Sequence, residues 1–257
     1  MAIEVAHEDR VAVLTVNRPD ALNALSSALL EELRSELAAI AADSNVGCLV
    51  LTGAGDKAFI AGADIAEMAT KTPLEARAYA ELGQECASLL ETMRAPTIAA
   101  VNGYALGGGS EMALACDIRI CSENAVFGQP EVDLGIMPGW GASQRLARTT
   151  SLGFAKELIL TGRRVKADEA LARGLAQHVV PLDELMPTAL AMARTIAAKS
   201  PVAIAYAKEA TNRALAGDLT TNLTVEADLF SILFSTEDAK EGLRAFTEKR
   251  EPDFKGR

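Results

Sequence analysis

Hydrophobic positions in residues 3–16, IEVAHEDRVAVLTV, fall into two short β-rich runs around a polar turn. That pattern predicts a hairpin. Pro19 and two asparagines in NRPDALNALS then break it. From Ser26, SSALLEELRSELAAIAAD carries leucines at helical spacing, with Ser26 or Ser27 as the N-cap. VGCLVLTG is short, continuous and apolar, as a strand buried on both faces requires. The order recurs in a loop AGDKAFIAGADI, a helix near 73–94, a strand TIAAVNG, a glycine run with its helix, and a strand DIRICSE. Such alternation predicts βαβ units up to about residue 135, with helices covering a largely parallel sheet.

Beyond Gly139, WGASQRLARTTSLGFAKELILTG predicts two short helices, and KADEALARGLAQHVVP a helix leading to a short strand. From Leu182 onward almost everything is helix-forming. Ser200-Pro201, and Ser235-Thr236 before Glu237 and Asp238, mark helix starts. The C-terminal third reads as a helical extension, much of it packed on another part of an assembly.

Composition narrows the class. The 257 residues are 49% hydrophobic and 23% charged, and no run of eighteen apolar residues occurs. A soluble protein without a membrane span is expected. The N-terminus has acidic residues where a signal peptide has basic ones, so the expected location is cytoplasmic. A net charge of −10 opposes nucleic-acid binding. Cys48, Cys86, Cys116 and Cys121 form no CxxC pair and are expected as reduced thiols. The two histidines, His7 and His178, fall in different apparent strands and neighbour no GxSxG element. Neither a zinc site nor a serine triad is expected.

The chemistry concentrates in YALGGGSEMALACD, residues 104–117. Gly107-Gly108-Gly109 could serve only as a tight turn. It lacks both the GxGxxG spacing and the GKS/T ending of nucleotide loops. Alternatively, a helix starting near Gly108 presents unpaired N–H groups and its positive dipole end to an anion, such as a thioester oxygen becoming an enolate. KAFIAGADI is a second glycine-bearing turn that could supply another donor. Glu111 lies in a helix made apolar nearly all round by Met112–Cys116, so a buried carboxylate there needs a reason. Glu131 follows Pro130 in a predicted loop, where exposure is the default.

The combination KAFIAGADI, AVNGYALGGGSEMALACD, FGQPEVDLGIMPGWGASQRL and GLRAFTEKR resembles the crotonase superfamily, and within it the enoyl-CoA hydratases of short-chain type. The resemblance spans essentially the whole chain. It implies an α/β spiral of ββα units over residues 1–195, and a helical trimerisation region over 196–257. A homotrimer or dimer of trimers is implied as well. The implied reaction is reversible addition of water across the 2,3 double bond of a trans-2-enoyl-CoA, in fatty-acid or short-chain acyl-CoA metabolism. Glu111 would activate water and Glu131 exchange the proton at C2.

The same resemblance makes the N–H groups of Ala61 and Gly108 the oxyanion donors, and the N–H of Gly139 a holder of the attacking water. Ala61, Gly62, Ala63, Asp64 and Ile65 would contact substrate. Lys249 would reach a coenzyme A phosphate at a subunit boundary, and Lys57 could do so or simply occupy a solvated turn. Trp140 would either fill part of the acyl pocket or pack in a subunit core. No metal or redox cofactor is implied, since coenzyme A arrives with the substrate. The alternatives are a 3-enoyl to 2-enoyl-CoA isomerase, which can work with one carboxylate, or a non-catalytic CoA-binding or RNA-binding relative.

Overall fold

The computed structural model describes residues 2–257. Strands β1 (Ile3–Glu8) and β2 (Val11–Val16) form the expected antiparallel hairpin, turning through Asp9 at φ +52°. Helix α1 (Ser27–Ala42) starts at Ser26, whose hydroxyl accepts from the Leu29 N–H at 3.3 Å. It buries Leu29, Leu30, Leu33, Leu37 and Ile40 along one stripe.

The chain then winds through repeated turns, each of which lays one strand in each of two sheets before a helix. The first comprises β3 (Cys48–Gly53), β4 (Ala58–Ile60), the short α2 (Ile65–Met68) and α3 (Pro73–Thr92). The second is β5 (Thr97–Val101), β6 (Tyr104–Leu106) and α4 (Gly108–Ala115). The third is β7 (Ile118–Ser122), β8 (Val126–Gly128), a 3-10 turn at Pro130–Leu134, α5 (Ala142–Thr149) and α6 (Leu152–Thr161). Then come β9 (Arg164–Lys166), α7 (Ala167–Ala172), β10 (His178–Val180) and α8 (Leu182–Ala197). Helices α9 (Pro201–Asn212), α10 (Leu219–Leu233) and α11 (Glu237–Glu248) follow. This is the ββα spiral that the resemblance implies.

The larger sheet runs β1-β2-β3-β5-β7-β10, parallel except for the hairpin. Its central strands are buried on both faces. Leu49 and Leu51 of β3 join the main core with α1 and α3, whereas Cys48 and Val50 face Leu185, Ala189, Ala193 and Ala197 of α8. The alternation explains why β3 reads as an unbroken apolar run. All four cysteines are buried and unpaired.

The smaller sheet runs β4-β6-β8-β9, with β4, β6 and β8 parallel. Its strands have three residues each. Because they are adjacent and parallel, the chain leaves them at one shared edge, where residues 61–65, 107–111 and 129–131 gather. Ligands in parallel sheets commonly bind at such carboxyl ends.

The C-terminal helices are covered much less. No residue of α10 is buried, and Leu219, Phe230, Leu243 and Phe246 are exposed. Helix α9 is tied to the core by Lys208, which donates to the Leu90 and Ala95 carbonyls at 3.2 Å and pairs with Asp117 at 2.8 Å. Among the described residues no helix is long and apolar enough to cross a membrane.

Helix α4 approaches β4 so closely that a Cβ on Gly109 would overlap the Ile60 carbonyl oxygen. Gly109→Ala is therefore expected to force the helix off the sheet and to destabilise the fold by about 1–3 kcal/mol. Denaturant unfolding checks this, and an unchanged midpoint would show that the approach is not constrained.

Candidate active site

The glycine run does turn the chain from strand to helix. Gly107 has φ +50°, and its N–H donates to the Gly128 carbonyl at 2.9 Å. Gly108 opens α4, and its own N–H has no acceptor among the described residues. It lines a cleft of about 530 Å³ shared with Glu111, Glu131, Gly139 and Trp140.

The second donor differs from the one expected. The N–H of Ala61 donates to the Leu22 carbonyl at 3.0 Å, so it is not free to hold an anion. Neighbouring bonds from Leu25 N–H to Gly62 and from Asp64 N–H to Leu25, both 2.9 Å, lash this segment to residues 22–25. Ala63 is the residue left with an N–H that has no acceptor among the described residues, and it lines the cleft.

Glu111 is 1% exposed. Its Oε1 accepts from the N–H of Trp140 at 2.8 Å and of Ala142 at 2.9 Å. Burial pushes the carboxyl above the usual carboxylate range; the Ala142, Trp140 and Gly141 N–H groups and the Arg145 guanidinium pull it back. Glu131 lies in the 3-10 turn and is half-buried rather than exposed. Burial pushes its carboxyl up to about 7, against a lowering by its own backbone N–H, and the nearby Glu111 charge adds to the rise.

Fully buried Gln129 supports this second acid, a residue that sequence reasoning passed over. With its amide nitrogen turned towards the carboxylate, Gln129 donates to Glu131 Oε1 at 3.1 Å and Oε2 at 3.3 Å, while its oxygen accepts from Ser110 Oγ at 3.1 Å. Its place two residues before Glu131 was the available signal.

Trp140 is 4% exposed and belongs to both the core and the cleft wall. The indole lies where a Cβ on Gly83 or Gly108 would otherwise sit, and meets Tyr79 edge-on at 5.4 Å. Tyr79 is fixed by donating to the Leu25 carbonyl at 2.6 Å. The N–H of Gly139 has no acceptor among the described residues, and its carbonyl accepts from Gln84 at 2.8 Å.

Other expected residues divide. Gly62 and Ile65 line the cleft. Asp64 caps α2 through the Glu67 N–H at 3.3 Å and pairs with Arg18 at 3.1 Å. Lys57 precedes β4 and does not line the cleft. Lys249 ends α11 at φ +54°, and does not line this chain's cleft either. The site thus collects two raised carboxyls and three free N–H donors around an apolar-walled space, a set suited to moving protons beside a developing oxyanion.

Comparison with known proteins gives the family. Residues 6–257 match the family model for enoyl-CoA hydratase/isomerase. The chain belongs to that family. The short-chain-enoyl-CoA hydratase of Clostridium acetobutylicum is 51% identical over 251 residues, covering 97% of this chain and 96% of the relative. The crotonyl-CoA hydratase of Syntrophomonas wolfei is 47% identical over 96% of this chain and 95% of the relative. A crystal structure of the enoyl-CoA hydratase from Bacillus anthracis matches with a TM-score of 0.97 and 43% identity, covering 100% of both chains. As an enoyl-CoA hydratase/isomerase family member, the chain shares the ββα spiral of its solved relatives.

The raised Glu131 value has a sign for stability. The folded state keeps a proton that the unfolded chain releases near 4.3, so stability falls as pH rises from there through about 7. Glu131→Gln cannot ionise and escapes that loss. Its Tm is expected to rise relative to the unsubstituted protein between about pH 5 and about pH 8. Calorimetry at both values checks this, and a constant difference would mean that Glu131 titrates normally.

Proposed function

We propose that the protein is an enoyl-CoA hydratase, a hydro-lyase acting reversibly on short trans-2-enoyl-CoA thioesters. The observation carrying this reading is the pair of raised carboxyls, Glu111 and Glu131, at one cleft with the free Gly108 N–H. The thioester oxygen accepts from the N–H groups of Ala63 and Gly108, where the start of α4 also favours negative charge. Water sits between Glu111 and the Gly139 N–H. Two N–H groups already hold Oε1 of Glu111, so Oε2 faces the water and takes its proton. The hydroxyl oxygen bonds to C3 and the double-bond electrons move to the enolate oxygen. The neutral Glu131 carboxyl then delivers a proton to C2 as the thioester carbonyl reforms. Dehydration runs the same transfers backwards. An isomerase would need only one of these acids as a shuttle, which favours the hydratase.

The indole of Trp140 closes the cleft beside Gly108, close to the reacting carbons, and this supports a short acyl chain. Residues 196–257 form the trimerisation region, in which exposed apolar side chains such as Phe230 and Phe246 are covered by other copies. Lys249 would then act on a neighbouring copy's coenzyme A phosphates. A cytoplasmic location fits acyl-CoA metabolism.

Loss of crotonyl-CoA absorbance tests the reading. Glu111→Gln and Glu131→Gln are each expected to lower kcat by about 10²–10⁴-fold, the usual contribution of a positioned acid or base. An unsubstituted protein that binds CoA esters yet hydrates none would reject it. Trp140→Ala keeps its backbone N–H on Glu111. It is expected to raise kcat/KM for an eight-carbon enoyl-CoA relative to crotonyl-CoA by about tenfold. An unchanged ratio would remove Trp140 from chain-length selection.

A further inference from the structure

The turn that holds Glu111 is itself held from behind. The carbonyl of Trp140 accepts from Arg145 Nη1 at 3.0 Å. Arg145 is fixed in turn by Glu91, at the end of α3, whose Oε2 accepts from Nη2 at 2.7 Å and Nε at 3.2 Å. The Nη1 end of the guanidinium occupies the space that a Cβ on Gly141 would need.

Gly141 sits at φ +123°, a conformation that L side chains rarely adopt. In a trans peptide the C=O and the following N–H point to opposite sides. The peptide joining Trp140 to Gly141 therefore presents its carbonyl to Arg145 and its N–H towards Glu111. Glycine offers little resistance to rotation of this peptide, and no other bond holds the Trp140 carbonyl among the described residues. Rotation would displace the Trp140 and Ala142 N–H groups on either side, and these are the two that hold Glu111 Oε1.

We propose that Arg145, oriented by Glu91, is a positioning residue that locks the Trp140–Gly141 peptide and so keeps Glu111 aimed at the attacking water. Its function rests on the role of Glu111 proposed above, whereas the lock itself does not.

The charged groups around Glu111 are Glu131 in the 3-10 turn, Arg145 on α5 with Glu91 behind it, and Lys71 along the cleft, which is paired with Glu67 at 2.7 Å. Only Arg145 both neutralises and organises. Without it, Glu111 loses a positive neighbour and ordered donors, so it holds its proton to higher pH. Less of it is then ionised at a given pH, and the acid limb of the hydration profile moves upward.

The test compares Arg145→Met, Arg145→Lys and Glu91→Gln in crotonyl-CoA hydration across pH. It also follows hydrogen exchange at the Trp140 and Ala142 amides. Arg145→Met is expected to lower kcat by roughly 10²-fold, the loss that misplacing a reacting group by about 1 Å brings. KM should stay near its original value, the acid limb should rise, and both amides should exchange faster. Arg145→Lys should recover part of each effect, and Glu91→Gln should show smaller changes in the same directions. Unchanged amide exchange in all three variants overturns the lock. A kcat loss with an unmoved acid limb and a matching fall in Tm reduces Arg145 to a fold-stabilising residue, which also overturns the proposal. Faster exchange in a protein that hydrates no enoyl-CoA would retain the lock and reject the hydratase reading instead.

Discussion

A carboxylate almost wholly removed from water must be solvated by the protein, and the Glu111 oxygen held by the Trp140 and Ala142 N–H groups meets that requirement. Much of the surrounding architecture follows from it. The chain must return α5 to the start of α4, so that the turn between Gly139 and Ala142 can face Glu111. That return brings an indole into the interior, and glycines at 83 and 108 leave the room for it. Glu131, beside the same charge and also withdrawn from water, keeps its proton to a higher pH than an exposed glutamate would. One solvation problem thus links the helix, the turn, the tryptophan and the raised carboxyl of Glu131.

The spiral supplies the second half of the arrangement. Three successive parallel strands of the smaller sheet end at one edge, and each exit carries one component. The chain leaves β4 towards Ala63, β6 towards Gly108 and Glu111, and β8 towards Gln129 and Glu131. Residues far apart in sequence therefore meet by strand order alone, with no long loop bringing them together. Donors come from backbone and acids from side chains, and at Gly108 the donor also needs glycine, because the Trp140 indole fills the space a Cβ would take.

The longer elements were legible because their signals are long or punctuated. Examples are the continuous run of β3, the serine cap of α1 and the Ser-Pro start of α9. The smaller sheet was not, since strands such as Tyr104–Leu106 are too short to show a period. Glu111 stood out as a charge amid apolar neighbours, whereas Glu131 looked like a loop residue because its burial comes from distant segments. The two alanines flanking Gly62 are chemically identical. Only the bonds to residues 22–25 show that the Ala61 N–H is engaged and the Ala63 N–H free. Lys249 lies away from this chain's cleft, and its expected role depends on a neighbour that one sequence does not position.

Trp140 combines two duties that are chemically separable. Its amide helps solvate the buried carboxylate, a service any non-proline residue performs, while its ring shapes the cleft wall. Selection can therefore exchange the side chain at this position without dismantling the amide contact beneath it. The packed neighbours Gly83 and Tyr79 decide which replacements fit. The wall of the cleft can thus be recut at this position while the support beneath the buried carboxylate stays where it is.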